Sequence, residues 1–425
     1  MTKSLNIFWF RRDLRSEDNH ALYEALKSGK TLPIFIFDTR IIDELDKDDA
    51  RISFIYKTLK HLHHQFKGSL KVYIGDPLKV WNEIIEKFDV ENVFLNKDYE
   101  PYALKREEAV VDLLANNGIA IHQLKDQVIF EKDEVVKDNG EPYTVYTPFK
   151  NKWLSQFKDD FIRPYASEAN LGNLIPSKFD FPTLEEIGFN ASEIKVPAYT
   201  FDKLENYEDV RNIPALGQTS YLSTHLRFGT ISVRKAVKLA KETNQTLLSE
   251  LIWREFFMQI LFHFPHVVTH SFKPKYDKIT WRNAEDDFKK WCNGETGYPI
   301  VDAGMRELNE TGLMHNRVRM VTASFLVKHL LIDWREGEAY FAKKLLDYDL
   351  SANNGNWQWV AGTGCDAAPY FRIFNPTSQQ QKFDPKAKYI RRWVQNFDDL
   401  SYPAPMVEHT FARKRCLEVY KRSLS

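Results

Sequence analysis

LNIFWFRRDLRSEDNHALYEALKSGKTLPIFIF, residues 5–37, decides the fold of the first half of the chain. Apolar runs at 5–10 and 32–37 flank a stretch, 20–28, whose apolar residues return at three- and four-residue spacing. The runs read as strands and the stretch between them as a helix. Strand–helix–strand of this length predicts a parallel pair joined by a right-handed crossover. Outward from it the alternation continues, with strands at 71–74, 93–95 and 119–124 and helices at 52–66, 77–88 and 104–116. Asp76 before Pro77 reads as an N-cap followed by proline at the first helical position. Gly29, Gly68 and Gly118 sit where helices should stop. The expectation is an α/β domain with a doubly wound parallel sheet. It contains neither GxGxxG after a strand nor GxxxxGK[ST], so any ligand at its switch point is held by other means.

From about residue 130 to 207 the pattern dissolves among prolines 142, 148, 164, 176, 182 and 197, which predicts a long connector, helical near 150–157. Beyond it the helical period dominates, at 233–242, 247–264, 301–309, 317–332 and 337–346. RVRMVTASFLVKHLLI, 317–332, is apolar nearly all round after its basic start and should be a central buried helix. The expected division is an α/β domain over 1–128, a linker over 129–206 and an all-α domain over 207–425.

The chain has 425 residues, 28% charged and 43% hydrophobic, a globular composition. No apolar run nears the ~20 residues of a membrane span, and the first residues lack a signal-peptide pattern. Cys292, Cys365 and Cys416 lie far apart, against a disulfide framework or a cysteine metal site. The expectation is a soluble cytoplasmic protein. Lys and Arg number 59, as do Asp and Glu, which argues against coating nucleic acid through bulk charge. Residues 1–250 carry net −5 and 251–425 net +5; a polyanion, if one binds, would favour the second half, although so small an asymmetry by itself is more readily read as meaningless. Eight of the ten tryptophans lie from Trp153 onward, a density that admits stacking or electron transfer beside core packing.

Four stretches carry candidate chemistry. Thr219, Ser220 and Ser223, around YLSTHLRFGTISVR (221–234), could hold a diphosphate at a helix start, although a simple cap is the commoner role of such residues. Around LIWREFF (251–257), Glu250, Trp253 and Arg254 share one helical turn; Glu250 and Arg254 default to a solvated i,i+4 pair, or Glu250 is an acid beside an aromatic platform. In MHNRVRM (314–320), Asn316 and Arg317 begin the buried helix, and Arg319 needs an acidic partner. LDYDLSANNGNWQW (346–359) offers Asp347 and Asp349 as that partner, with Asn353, Asn354 and tryptophans at 357 and 359. Neither His61, His63 and His64 nor the histidines of HFPHVVTH (263–270) have metal-ligand spacing, so no metal is expected.

GYPIVDAGMREL (297–308), MHNRVRMVTASFLVKHLLIDWREGE (314–338), DLSANNGNWQWVAGTGCDAAPYFRIFNP (349–376) and FWFRRDLRSEDNHAL (8–22) closely resemble the DNA photolyase/cryptochrome family. The details look like a class I cyclobutane pyrimidine dimer photolyase. The resemblance covers nearly the whole chain. It implies a Rossmann-like N-terminal α/β domain, a linker, and an all-α C-terminal domain that binds FAD, active as reduced FADH−. It also implies light-dependent repair of DNA containing pyrimidine dimers, by an electron lent to the dimer. The alternatives are a blue-light-sensing cryptochrome and a (6-4) photolyase; Asn316 and Met320 speak against the latter.

Carried over residue by residue, the family's flavin site falls on Tyr207, Thr219, Ser220, Tyr221, Leu222, Ser223, Arg319, Asp347, Asp349 and Asn353. Glu250 and Asn316 match residues that hydrogen-bond the lesion, Glu250 as a protonated donor, and Met320 the methionine beneath it. Trp253 and Trp359 match the walls that pack the bases, and Arg211, Arg254, Arg317 and Gln379 match DNA contacts. Trp357, Trp334 and Trp281 match a photoreduction chain running from flavin to surface. Tyr102 and Ala103 stand where folate-antenna relatives carry Asn–Glu, and Leu247 where some relatives carry a flavin-side tryptophan. The antenna could therefore be a deazaflavin, another flavin, or absent. The expected partner is damaged DNA, bound by a monomer, with no membrane.

Overall fold

The computed structural model describes residues 4–202, 204–282 and 284–425. They form two compact units. The first draws on residues 1–134, 154–199 and 221–242; the second draws on 135–153, 200–220 and 243–425. The stretch read as a connector therefore contributes chain to both.

In the first unit, β1 (Leu5–Phe10), α1 (His20–Ser28), β2 (Thr31–Asp38), α2 (Ala50–Gln65), β3 (Lys71–Gly75), α3 (Pro77–Lys87), β4 (Val90–Asn96), α4 (Pro101–Asn116) and β5 (Ala120–Leu124) alternate as expected. All pairings are parallel, and the strand order is β3-β2-β1-β4-β5. The order reverses between β1 and β4. Side chains alternate across the pleat, so Phe8, Phe10, Phe35, Phe37 and Phe94 pack into one core with α1 and α2. Ile7, Trp9, Ile34, Ile36, Val93 and Leu95 pack into the other, with α3 and α4. Burial on both faces makes these strands continuous apolar runs in the sequence. Asp76 caps α3 by accepting from the amides of Leu78 and Lys79, with Pro77 at the first position.

The second unit is helical. α5 (Tyr146–Gln156) lies within the expected connector, and all but its last three residues belong to this unit. It is followed by α6 (Gln245–His263), α7 (Pro299–Thr311), α8 (Asn316–Ser324), α9 (Trp334–Lys344), α10 (Leu350–Ala361) and α11 (His409–Leu424). The expected single helix over 317–332 is a correction: α8 ends at Ser324, the chain continues as a π-helix over Phe325–Leu330, and Leu331 stops it at φ 55°. Lys328 and His329, the two polar residues of that run, are fully buried in it. The Lys328 ammonium donates to the carbonyls of Ala361 at 2.8 Å and Tyr370 at 3.3 Å and lies 3.9 Å from the centre of the Tyr420 ring.

Two glycines set how closely the helices approach. A Cβ on Gly337 of α9 would come within 2.2 Å of the Trp357 ring, and one on Gly355 of α10 within 2.2 Å of the Phe257 ring. Bare backbone at these points lets α10 sit against both α9 and α6. That placement brings Trp357 into the core and leaves Trp359 and Trp253 on partly open faces.

Candidate active site

α6 and α10 supply the two partly exposed tryptophans, Trp253 and Trp359. Both line one shallow, half-open pocket, together with Phe257, Gly355, Cys365 and Asp366. Two indoles with bare glycine backbone beside them make a slot for flat apolar groups. One turn before Trp253, the Glu250 carboxylate accepts from Arg211 Nη1 at 2.7 Å. Arg211 follows the short helix Tyr207–Val210, and its guanidinium lies 5.7 Å from the Tyr207 ring. Glu250 thus has a partner, Arg211, across 39 residues of chain, which the i,i+4 spacing did not show.

α8 begins at an N-cap made by His315, whose Nδ1 accepts from the Arg317 amide at 3.2 Å. Asn316 is exposed at the first helical position, and Met320 lies one turn on, along the same face. Arg317 reaches Asn212 Oδ1 through Nη2 at 2.7 Å and Nε at 3.2 Å, and stacks 4.4 Å over the Phe383 ring. Burial, and then the charges of Arg319, Arg317 and Arg211, push His315 down to about 4 and keep its imidazole neutral. The guanidinium of Arg317 is lowered by burial and by Arg211 and Arg372. Arg211, Arg317, Arg319 and Arg372 therefore lie in one neighbourhood, in which Arg211 is paired with Glu250 and Arg319 with Asp347.

Arg319 finds the acid that its burial requires. Its Nη2 donates to both oxygens of Asp347, at 3.1 and 2.9 Å. Asp349 caps α10 through the Ala352 amide at 3.2 Å and accepts from the Ser351 hydroxyl. Asn353 Nδ2 donates to the Glu338 carbonyl at 3.1 Å and to Glu338 Oε1 at 2.8 Å, which fixes the amide plane. Burial raises the Glu338 carboxyl, and the Asn353 hydrogen bond partly offsets this. Thr219 and Ser220 belong to the second unit, while Tyr221, Leu222 and Ser223 belong to the first. The hydroxyls of Thr219 and Ser223 have no hydrogen-bond partner among the described residues, and Tyr221 turns the chain at φ 53°. Within the second unit, the open Thr219 hydroxyl, the fixed Arg319–Asp347 pair and the held Asn353 amide fit the polar groups of a flavin nucleotide.

Trp334 and Trp357 are buried in one core cluster, against which the half-buried Trp281 packs. The ring neighbours of Trp357 are Phe341 at 4.9 Å and Trp291 at 6.2 Å; that of Trp281 is Tyr420 at 6.1 Å. The Gln379 side-chain oxygen is buried without a partner. Among the described residues no cluster of three His, Cys, Asp or Glu could hold a metal, and no helix is long and apolar enough to cross a membrane. Glu338, Asp366 and Tyr146 were not legible from motif reading; their roles arise from neighbours distant in sequence.

Such a parallel α/β unit and such a helical unit, with flavin-compatible polar groups and an aromatic slot, define the class of two-unit proteins built to hold a flavin nucleotide beside an aromatic pocket. Residues 6–167 match the family described as DNA photolyase, and residues 247–401 match the FAD binding domain of DNA photolyase. The chain belongs to the DNA photolyase family. It is 36% identical to the deoxyribodipyrimidine photo-lyase of Synechococcus sp., over 98% of this chain and 96% of that protein. It is also 36% identical to that of Escherichia coli K12, over 98% of each. A class III photolyase from Agrobacterium tumefaciens superposes with TM-score 0.88 at 32% identity, covering 100% of this chain and 98% of that one. An archaeal photolyase from Sulfolobus tokodaii, solved with two FAD molecules, gives 0.84 at 36%, covering 98% and 99%. A Synechocystis cryptochrome gives 0.84 at 25%, covering 99% of each.

Proposed function

We propose that this protein splits cyclobutane pyrimidine dimers in DNA under light. The aromatic slot between Trp253 and Trp359 carries the reading, in a chain matched end to end by deoxyribodipyrimidine photo-lyases. FAD, when bound and reduced, supplies on near-UV or blue excitation the single electron that opens the cyclobutane ring and then returns.

The chain's own residues bind, orient and exclude water. Photolyases act on a target swung out of the base stack. Trp253 and Trp359 would pack the extruded pair, and base–aromatic stacking is worth about 1–3 kcal/mol per base. Arg211, Arg254, Arg317 and Gln379 would hold the flanking backbone, and Thr219, Ser220, Arg319, Asp347, Asp349 and Asn353 the flavin, with Tyr207 beside it. Glu250 and Asn316 would hydrogen-bond the pyrimidine carbonyls where negative charge develops, above Met320. In this state Glu250 is engaged by Arg211, so it meets a lesion as a donor only after that pair parts. Trp281, Trp334 and Trp357 would relay an electron inward to restore the reduced cofactor. The three free cysteines suit the cytoplasm, where the enzyme would act as a monomer.

The test is illumination of reduced holoprotein with a dimer-containing oligonucleotide. Undamaged DNA should reappear in the light and not in the dark. A protein that keeps its flavin while the dimer survives would be a light sensor of the cryptochrome kind.

A further inference from the structure

Trp253 is backed by a residue from outside the helical run. Tyr146, on α5, stacks on it with ring centroids 3.5 Å apart and planes within 9°. The Tyr146 hydroxyl lies 2.7 Å from both the carbonyl and the hydroxyl oxygen of Ser249, one turn before Trp253 on α6. Lys150, one turn further along α5, reaches the same Ser249 hydroxyl at 3.1 Å. The Tyr146 amide donates to Asp366 Oδ2 at 3.0 Å, and Asp366 itself lines the pocket between Trp253 and Trp359. Further along α5, Phe149 packs on Phe256 at 5.3 Å, and Trp153 Nε1 donates to Glu255 Oε1 at 2.7 Å. Tyr146 is thus held at ring, hydroxyl and backbone, and every anchor sits on an element that shapes the slot.

We infer that Tyr146 is a positioning residue for lesion recognition: it clamps the Trp253 indole in the orientation that receives an extruded base, and so sets selectivity for damaged over undamaged DNA. An exposed indole with no backing samples several rotamers, and each costs binding when only one is productive. A face-to-face partner anchored by three hydrogen bonds leaves one. Undamaged duplex, whose bases stay stacked, does not use the slot and should not sense the clamp. The inference rests on Trp253 being a wall for the bases, so the experiment separates the two.

Binding of a dimer-containing and an undamaged oligonucleotide is measured for wild type and three variants, all FAD-loaded, with flavin content and Tm recorded. Trp253→Ala should weaken dimer binding strongly. Tyr146→Leu should weaken it roughly three- to tenfold, from the ~0.5–1.5 kcal/mol of an aromatic pair, and leave undamaged DNA within about twofold. Tyr146→Phe, which keeps the ring, should restore most of the selectivity. Tyr146→Met replaces Tyr146→Leu if the latter loses flavin. If Trp253→Ala weakens dimer binding and loss of the Tyr146 ring does not, or weakens both DNAs alike, the clamp is overturned while the wall stands. If Trp253→Ala changes nothing, the wall and the clamp fall together.

Discussion

Glu250 is 34% exposed and its partner Arg211 25% exposed, so their ion pair contributes little to stability. A pair this weak opens readily when a phosphate competes for the guanidinium, which frees the carboxyl to turn toward the slot. Glu250→Ala should therefore cost function without costing fold. The repair quantum yield at saturating DNA should fall several-fold, with flavin content and Tm nearly unchanged; an unchanged yield would leave Glu250 as a surface charge only. His315 gives the opposite case, a residue whose protonation tests the fold. Burial and three guanidinium groups lower it from 6.5 to about 4. The unfolded chain therefore binds a proton that the folded one refuses between those values. Stability is complete above pH 6.5 and declines as pH falls through the window. His315→Asn keeps a capping acceptor for the Arg317 amide but does not titrate. Relative to the variant, wild type should lose about 2 kcal/mol between pH 7 and pH 5 in denaturant melts. Parallel curves would remove His315 as the acid-sensitive group.

At the scale of elements, the sheet was readable because parallel strands covered on both faces are unbroken apolar runs between helical periods. The α10 block was readable because its acids, amides and tryptophans crowd into one segment. The π-helix was not, since Lys328 sits in the apolar run as an unremarkable charge; only the fold shows its ammonium enclosed by two carbonyls and the Tyr420 ring. The helix of α5 was expected near 150–157, but its meaning was not readable, since that lies in Ser249 and Trp253, about a hundred residues away. The π-helix has its own test. Burial lowers Lys328 from 10.5 to about 8, so between those values the unfolded chain holds the extra proton and stability rises with pH. Lys328→Met fills the volume without the charge. Its stability advantage over wild type should be largest below pH 8 and shrink by about 3 kcal/mol toward pH 10.5. Cys416, whose thiol burial raises and the Lys328 charge lowers, is replaced by Ala in both proteins, so that the difference between the two isolates Lys328. A constant difference would mean the ammonium is not buried as a charge.

For the whole molecule, net charge is zero, yet the ligand proposed for it is a polyanion. The contradiction dissolves on distribution: residues 251–425 carry net +5, and Arg211, Arg317, Arg319 and Arg372 act on one another or on His315. Binding responds to the local field within a Debye length of ~8 Å, not to the sum over the chain. Affinity for DNA should therefore fall with salt as it does for a basic protein, with a log–log slope near about −0.9 per phosphate neutralised. Arg317 is the sharpest probe of this, because it is fixed between Asn212 and Phe383 and so presents its charge in one place. Arg317→Ala should weaken damaged and undamaged DNA by similar factors and make the salt slope shallower by about one unit. The outcome separates the two ways this surface can discriminate, because removing a phosphate-binding guanidinium at Arg317 moves both DNAs together, whereas a change in the slot moves only the damaged one. A salt slope that Arg317→Ala leaves untouched would place the DNA on another face of the protein.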